Sequence, residues 1–92
     1  MGIRRAGAVD PDKLNTWLSK LLREQGADIF RMKGILDIAG QDERYVFQGV
    51  HMLFDGRTDR PWGATPRSND LVFIGRKLDR EALEAGFHRC LR

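Results

Sequence analysis

The sequence contains very few of the side chains that bind metals or cross-link small domains. Cys90 is its one cysteine, and His51 and His88 are its two histidines. A single cysteine excludes an internal disulfide and a cysteine-based zinc site. A metal site usually needs three or four convergent ligands, and a helix would direct His88 and Cys90 to different sides. The sequence therefore predicts no metal site in this chain.

The chain also lacks long apolar runs. Its longest apolar stretches are four residues or fewer, as at 71–74, which excludes a membrane-spanning helix. The basic N-terminus, Met1 to Arg5, has no apolar stretch behind it and is therefore not a secretory signal. With 92 residues, 41% of them hydrophobic, the sequence predicts one folded domain over residues 1–92, located in the cytoplasm.

No catalytic motif is found in the sequence. No glycine precedes a lysine, so the chain cannot form the GxxxxGK(S/T) phosphate-binding loop of nucleotide hydrolases. The HExxH, GxSxG and GxGxxG patterns are absent as well. Cys90 remains a candidate nucleophile, but it lies on the apolar stripe of the last predicted helix, where a buried structural thiol is the commoner outcome. We therefore predict that this chain is not an enzyme.

Charge of one sign is not in large excess. Sixteen Lys and Arg residues are opposed by 13 Asp and Glu residues, for a net charge of +3. This small surplus permits a nucleic-acid partner without indicating one. Twelve of the 16 cations are Arg, which binds carboxylates and phosphates in a bidentate manner. The arginines indicate either a recognition surface or an ordinary solvated surface.

Two amphipathic helices are predicted. The first begins after Asp10, has Pro11 at its first position and Leu and Trp residues at helical spacing, and ends at Gly26 in a left-handed cap. The second begins at Asp79, its N-cap, and its apolar stripe consists of Leu83, Phe87, Cys90 and Leu91. The chain ends two residues after Cys90, and we expect this helix to be the C-terminal end of the protein.

The remaining segments predict a sheet. Alternating residues predict strands at 29–39 and 44–54, joined as an antiparallel hairpin, and a short buried strand at 71–75. The segment 2–9 is predicted as an edge strand and 55–70 as a long loop. The predicted fold is an α+β two-layer sandwich of order β-α-β-β-β-α, with a mostly antiparallel sheet and two helices on one face.

The same alternation predicts which side chains face the helices. In the strand 29–39, Phe30 and Met32 belong to the inner set, while Arg31 and Lys33 belong to the outer set. In the next strand, the inner set is Val46, Val50, Met52 and Phe54. The outer set is Tyr45, Phe47, His51 and Leu53. An outer face with aromatic residues predicts a surface that another molecule covers.

Five residues are candidates for partner binding. Arg31 and Lys33 share the outer face of one strand, and Arg44 is predicted to approach them across the hairpin. With Arg76, which follows the last strand, they would form a basic patch for an acidic or phosphate-bearing partner. The alternative is a solvated face balanced by neighbouring acids. Trp62 is predicted either to pin its loop to the core or to anchor an interface.

Four segments, in order, resemble one known family. They are FRMKGIL at 30–36, RYVFQGV at 44–50, LVFIGR at 71–76 and LDREAL at 78–83. Together with the DPDKL helix start, they resemble the C-terminal domain of CobW-like proteins, a metallochaperone branch of the P-loop GTPases. The resemblance covers residues 4–91.

This resemblance implies that the chain is an accessory module. Family members join an N-terminal GTPase domain, which carries the nucleotide site and a cysteine-rich metal motif, to a C-terminal module of this kind. They are thought to deliver zinc or cobalt by using GTP hydrolysis, the latter for cobalamin synthesis. The resemblance thus implies GTP and a divalent metal for the parent protein, and no cofactor for this chain. The implied partners are the GTPase domain, a metal-receiving client protein, or both. We expect either an excised fragment or a protein consisting of the module alone.

A small nucleic-acid-binding α+β domain is the alternative function. Its support is the arginine content and the pair Tyr45 and Phe47, which on the outer face would stack on bases. The sequence lacks the aromatic signature of RNA-recognition sheets, and its net charge is only +3. These two observations favour the accessory module.

Overall fold

The fold consists of one five-stranded sheet and two helices, the first helix between the first and second strands and the second after the last strand. The computed structural model describes residues 1–50 and 53–92, and of residues 53 and 54 it describes the backbone alone. The elements are β1 (Gly2–Arg5), α1 (Pro11–Gln25), β2 (Ile29–Leu36), β3 (Glu43–Val50), β4 (Leu53–Pro61), β5 (Asn69–Gly75) and α2 (Arg80–His88). The sheet is antiparallel throughout, with strand order β1-β5-β2-β3-β4. The predicted α+β fold class is confirmed.

The sheet contains one strand more than the sequence predicts. The loop predicted at 55–70 is wrong over its first part, because residues up to Pro61 continue β4 and pair with β3. The predicted strand 44–54 is accordingly divided between β3, which ends at Val50, and β4. The strand β4 lies at the sheet edge, and after its first two residues it reads DGRTDRP, without the apolar alternation that marks a half-buried strand.

The first helix follows the predicted start and end. The Asp10 side chain accepts hydrogen bonds from the backbone N–H groups of Asp12 (2.9 Å) and Lys13 (3.2 Å), as an N-cap does. Pro11 occupies the first turn, where its missing N–H costs nothing. Gly26 ends the helix, but in the right-handed conformation (φ −57°) and not in the predicted left-handed cap, and its N–H donates to Leu22 O.

Both helices pack on the same face of the sheet. The Trp17 ring of α1 lies edge-on to Phe73 of β5 at 6.4 Å and tilted against Phe87 of α2 at 6.0 Å. Gly86 makes this contact possible, because a Cβ there would collide with the Trp17 indole. Leu14 and Leu18 extend the same buried cluster along α1. Burial of these aromatic and aliphatic side chains is the main stabilising term of the fold.

The faces of β3 are the reverse of those predicted. Phe47 is 1% exposed and Tyr45 packs against the core, whereas Val50 is 47% exposed on the opposite face. Glycines on the neighbouring strands provide the space for both rings. A Cβ on Gly34 would collide with the Phe47 ring, and one on Gly56 with the Tyr45 hydroxyl. Since a ring buries more apolar surface than a valine, the register with the aromatic residues inside is favoured.

A β-bulge changes the direction of another predicted inner residue. The register of β2 against β5 shifts between Ile29 and Arg31. Ile29 and Met32 are both buried, so the two residues between them turn outward together. Phe30 is therefore 46% exposed, and its predicted burial is wrong. The predicted faces of His51 and Met52, and of the side chains of residues 53 and 54, lie outside the described residues.

Candidate partner-binding surface

The sheet has an open face, turned away from the two helices. The registers of β2 place Arg31 between Ile74 of β5 and Val50 of β3. Two residues further along β2, Lys33 lies between Val72 and Gln48. Further along β2, a shallow hollow of about 300 Å³ is lined in part by Lys33, Ile35, Val46 and Val72. This surface, called the open face below, combines aliphatic side chains with cations.

Arg31 and Lys33 lie on the open face as predicted. Both side chains are exposed, and neither forms an ion pair within the part of the chain that the structure describes. Arg57 is a further cation of this surface that the sequence did not indicate, because the first part of β4 was predicted as a loop. The register pairs Arg57 with Val46, which places it on the same face. Arg57 is exposed and forms no salt bridge among the described residues, although its charge contributes to the lowered pKa of Asp59 on the same strand.

Arg44 does not approach Arg31 and Lys33. Arg31 pairs with Val50, whereas Arg44 lies six residues earlier on β3, about 20 Å away at the rise of a strand. Arg44 instead donates a hydrogen bond to the carboxylate of Asp59 on β4. This bond lowers the pKa of Asp59 below its ordinary value, with smaller contributions from nearby arginines. The predicted patch of Arg31, Lys33 and Arg44 is therefore wrong.

Arg76 is occupied in a local ion pair. Its Nε atom lies 2.8 Å from Asp28 Oδ1, and its backbone N–H donates to Asp28 O at 2.9 Å. The preceding Gly75 permits this approach, because a Cβ there would collide with Asp28 O. Arg76 thus connects the end of β5 to the start of β2. Its guanidinium is exposed but already paired with the carboxylate of Asp28.

Trp62 is buried against the turn before β3. Its side chain is 5% exposed, and its backbone N–H donates to Asp42 O at 2.9 Å. Its own carbonyl accepts from Thr65 N–H at 2.9 Å. The indole N–H is buried without a hydrogen-bond partner among the described residues. The burial favours pinning over an interface anchor, but the segment is held to this turn and not to the main buried cluster.

Cys90 has the surroundings of a structural thiol. Cys90 is 1% exposed, and its sulfur lies 3.4 Å from Gly86 O and 3.6 Å from Lys13 O. Burial raises the pKa of the thiol above its ordinary value. The reactive thiolate is correspondingly scarce at neutral pH.

Alkylation of the native protein tests this assignment. We expect Cys90 to react with iodoacetamide at least tenfold more slowly in the folded chain than in urea, because folding both covers the sulfur and keeps it protonated. The measurement is the mass shift against time at neutral pH. Rapid stoichiometric labelling of the folded chain would contradict a buried structural thiol.

No metal centre is found in the described part of the chain. Residues 1–50 and 53–92 contain no group of three or more His, Cys, Asp or Glu side chains placed to hold an ion. His51, one of the three side chains considered from the sequence, lies outside this part. Within the same residues, neither helix has the length and apolar character needed to cross a membrane.

The nucleic-acid alternative loses its aromatic support. Phe47 is buried beneath the helices, and Tyr45 lies on the same covered face, across Gly56. Partial burial, and then the nearby Asp55, raise the pKa of the Tyr45 hydroxyl. Neither ring is placed on the open face, where bases would stack.

The comparisons with known proteins agree with this architecture. The zinc chaperone YjiA of Escherichia coli (strain K12) is 38% identical over 79 residues, which are 86% of this chain and 25% of that protein. The fold matches a zinc-bound crystal structure of the E. coli YjiA GTPase with a TM-score of 0.91. It matches a zinc-bound triple mutant of the YjiA GTPase with a TM-score of 0.95. Both structural matches are 33% identical in sequence, and each covers 100% of this chain and 29% of the YjiA chain.

The chain thus spans about a quarter of the length of the curated relative. A family model, the cobalamin synthesis protein cobW C-terminal domain, matches residues 1–91. The match includes the two helices and all five strands described above. The chain belongs to the family of cobW C-terminal domains.

Proposed function

We propose that this chain is the non-catalytic accessory module of a GTP-dependent metal chaperone, acting in the cytoplasm. The relatives support this role by their names, a zinc chaperone and a GTPase, and by their length, of which the chain spans about a quarter. In this proposal GTP hydrolysis and zinc delivery belong to the GTPase domain of the parent protein. The module docks onto that domain or onto the client that receives the metal.

The observation that carries the proposal is the open face of the sheet. The helices cover one face completely enough to bury Phe73 and Phe47, whereas the other face leaves Ile74 and Val50 about half exposed. Arg31 lies between these two aliphatic side chains. An uncovered sheet face of this composition is typical of a surface that another protein contacts.

The module would couple the nucleotide state to client delivery. Docking changes with the bound nucleotide only if the module makes different contacts with the GDP and GTP forms of its neighbour. By linkage, the same difference then changes the affinity for the client. Couplings of this kind are typically about 1–3 kcal/mol.

The test combines the chain with the GTPase portion of E. coli YjiA from which its own C-terminal module has been removed. We expect saturable binding whose Kd differs about tenfold between GDP and a non-hydrolysable GTP analogue, equivalent to about 1.4 kcal/mol. Isothermal titration calorimetry measures both affinities. Equal affinities would contradict the coupling, and absence of binding in both states would contradict docking onto the GTPase domain.

A separate measurement tests the non-catalytic part of the proposal. The chain alone is incubated with GTP, and the release of phosphate is measured. A second sample is incubated with zinc and dialysed, and its zinc content is then determined. We expect no hydrolysis and no stoichiometric zinc. GTP hydrolysis or stoichiometric zinc retention by the isolated chain would contradict the non-catalytic accessory role.

A further inference from the structure

We propose that the open face docks a protein surface that presents a carboxylate between apolar side chains, and that Arg31 is the residue that binds this carboxylate. The site, called the Arg31 cluster below, consists of Arg31, Phe30, Val50 and Ile74. The proposal rests on the proposed function and adds to it the position of the interface and the chemistry of its partner.

The exposed large hydrophobic residues of the described part are concentrated in this cluster. They are Phe30, Val50 and Ile74, which are 46%, 47% and 52% exposed. Phe30 precedes Arg31, and the other two are its register partners on β3 and β5. Single exposed apolar residues are ordinary, but three around one arginine form a contiguous patch.

The bulge in β2 is what brings Phe30 into the cluster. Regular alternation would have placed it in the core with Met32. The extra residue leaves Phe30 and Arg31 together on the outside, at the cost of one exposed aromatic ring. Bulges commonly redirect a side chain in this way at functional positions.

The charges of the open face favour an acidic partner. Two of its carboxylates are already paired, Asp70 with Arg4 and Asp59 with Arg44. Among the described residues, Arg31, Lys33 and Arg57 are left without an ion-pair partner on this face, against the single unpaired carboxylate of Asp55. The remaining charge is therefore a surplus of cations.

The cost of removing water from Arg31 determines which chemical group the partner must present. A protein that covers Phe30, Val50 and Ile74 also removes water from the guanidinium between them. An unpaired buried charge is costly, so an entirely apolar partner would bind poorly. A carboxylate offers the planar acceptor that fits Arg in bidentate geometry, and arginine in an apolar surround is a common hot spot of protein interfaces.

Two other occupants fit less well. A second copy related by a two-fold axis would bring the same cation surplus against itself, which is repulsive. A nucleic acid would require phosphate contacts along a run of cations, whereas Arg31 is flanked across the sheet by aliphatic side chains. The observations therefore favour an acidic and apolar protein surface.

The experiment measures binding of variants to the GTPase portion of YjiA used above, in the nucleotide state that binds the unchanged chain more tightly. We expect Arg31→Glu to weaken binding at least tenfold, because it places a carboxylate opposite the partner's own. We expect Ile74→Ala to weaken it about fivefold through lost apolar contact. Arg31→Lys keeps the charge without the bidentate fork and should give an intermediate loss.

The matched control is Arg23→Glu, the same charge reversal at an exposed position of α1 on the helix side. It should change the affinity less than twofold. Thermal unfolding of each variant confirms that the chain remains folded, which exposed positions should allow.

The outcomes separate this inference from the proposed function. If the unchanged chain binds and Arg31→Glu binds equally well, the Arg31 cluster is not the interface, whereas docking itself stands. If the unchanged chain does not bind at all, docking onto the GTPase domain fails, and the interface assigned to the Arg31 cluster fails with it. Self-association in sedimentation velocity that Arg31→Glu abolishes, or tight binding of an oligonucleotide that Arg31→Glu abolishes, would overturn the assigned partner.

Discussion

Replacing Trp62 with alanine is expected to lower the free energy of unfolding by about 3 kcal/mol. The side chain is 5% exposed, so its removal leaves a cavity where the segment after β4 meets the turn before β3. Trp62 lies outside the main buried cluster, which places the loss at the lower end of the range for a buried tryptophan. For a domain of this size the loss corresponds to a decrease in Tm of roughly 12–24 °C. Thermal unfolding followed by circular dichroism measures it.

The control is Trp62→Phe, which keeps most of the ring. The indole N–H has no hydrogen-bond partner among the described residues, so its removal should cost little and the loss should be well below that of alanine. Binding to the GTPase portion of YjiA, measured well below the Tm, should be unchanged in both variants. Unchanged stability together with lost binding would instead identify Trp62 as an interface anchor.

Replacing Asn69 with alanine is expected to cost about 3 kcal/mol as well, for a different reason. Asn69 is fully buried and its side chain joins three backbone groups. Its Oδ1 accepts from Asp37 N–H at 2.8 Å, and its Nδ2 donates to Arg5 O at 2.9 Å and Gly7 O at 2.7 Å. Each buried polar group left without a partner costs about 1–3 kcal/mol. Urea unfolding measures the loss.

Asn69→Asp separates hydrogen bonding from volume. Aspartate has nearly the same shape but brings an oxygen, with no donor, toward the carbonyls of Arg5 and Gly7, so we expect a loss at least as large as that of alanine. Asn15→Ala, at an exposed position of α1, is the control and should change stability by less than about 0.5 kcal/mol. A small effect of both Asn69 variants would show that the end of β1 is held by other contacts.

The position of Asn69 could not be recognised from its residue type. Asn and Ser near 68–69 are typical of loops, and the sequence predicts a loop there. In the structure Asn69 begins β5 and fixes the ends of β1 and β2 to it. The three backbone groups that it joins are 32 to 64 residues away along the chain, so no local pattern indicates them.

The positively charged side chains likewise divide into those whose position the sequence alone predicts and those whose position depends on the tertiary structure. That Arg31 and Lys33 share an outer face follows from the period of a strand alone. Whether Arg44 and Arg76 join them depends on pairs with Asp59 and Asp28, and these pairs exist only because distant strands are brought into register. The contribution of Arg57 depends on β4, an edge strand whose polar sequence resembles a loop.

The sequence by itself determined the two helices, most of the strands and the α+β class, because capping residues and apolar periodicity act over a few neighbouring positions. The family was indicated separately, by the resemblance of four segments in order. Only the tertiary structure decided which face of β3 is buried and which residues surround Arg31. Both faces of that strand contain apolar residues, so the choice is made by glycines on adjacent strands, Gly34 and Gly56, that leave room for aromatic rings on one side. The bulge before Arg31 likewise appears only where β2 meets β5.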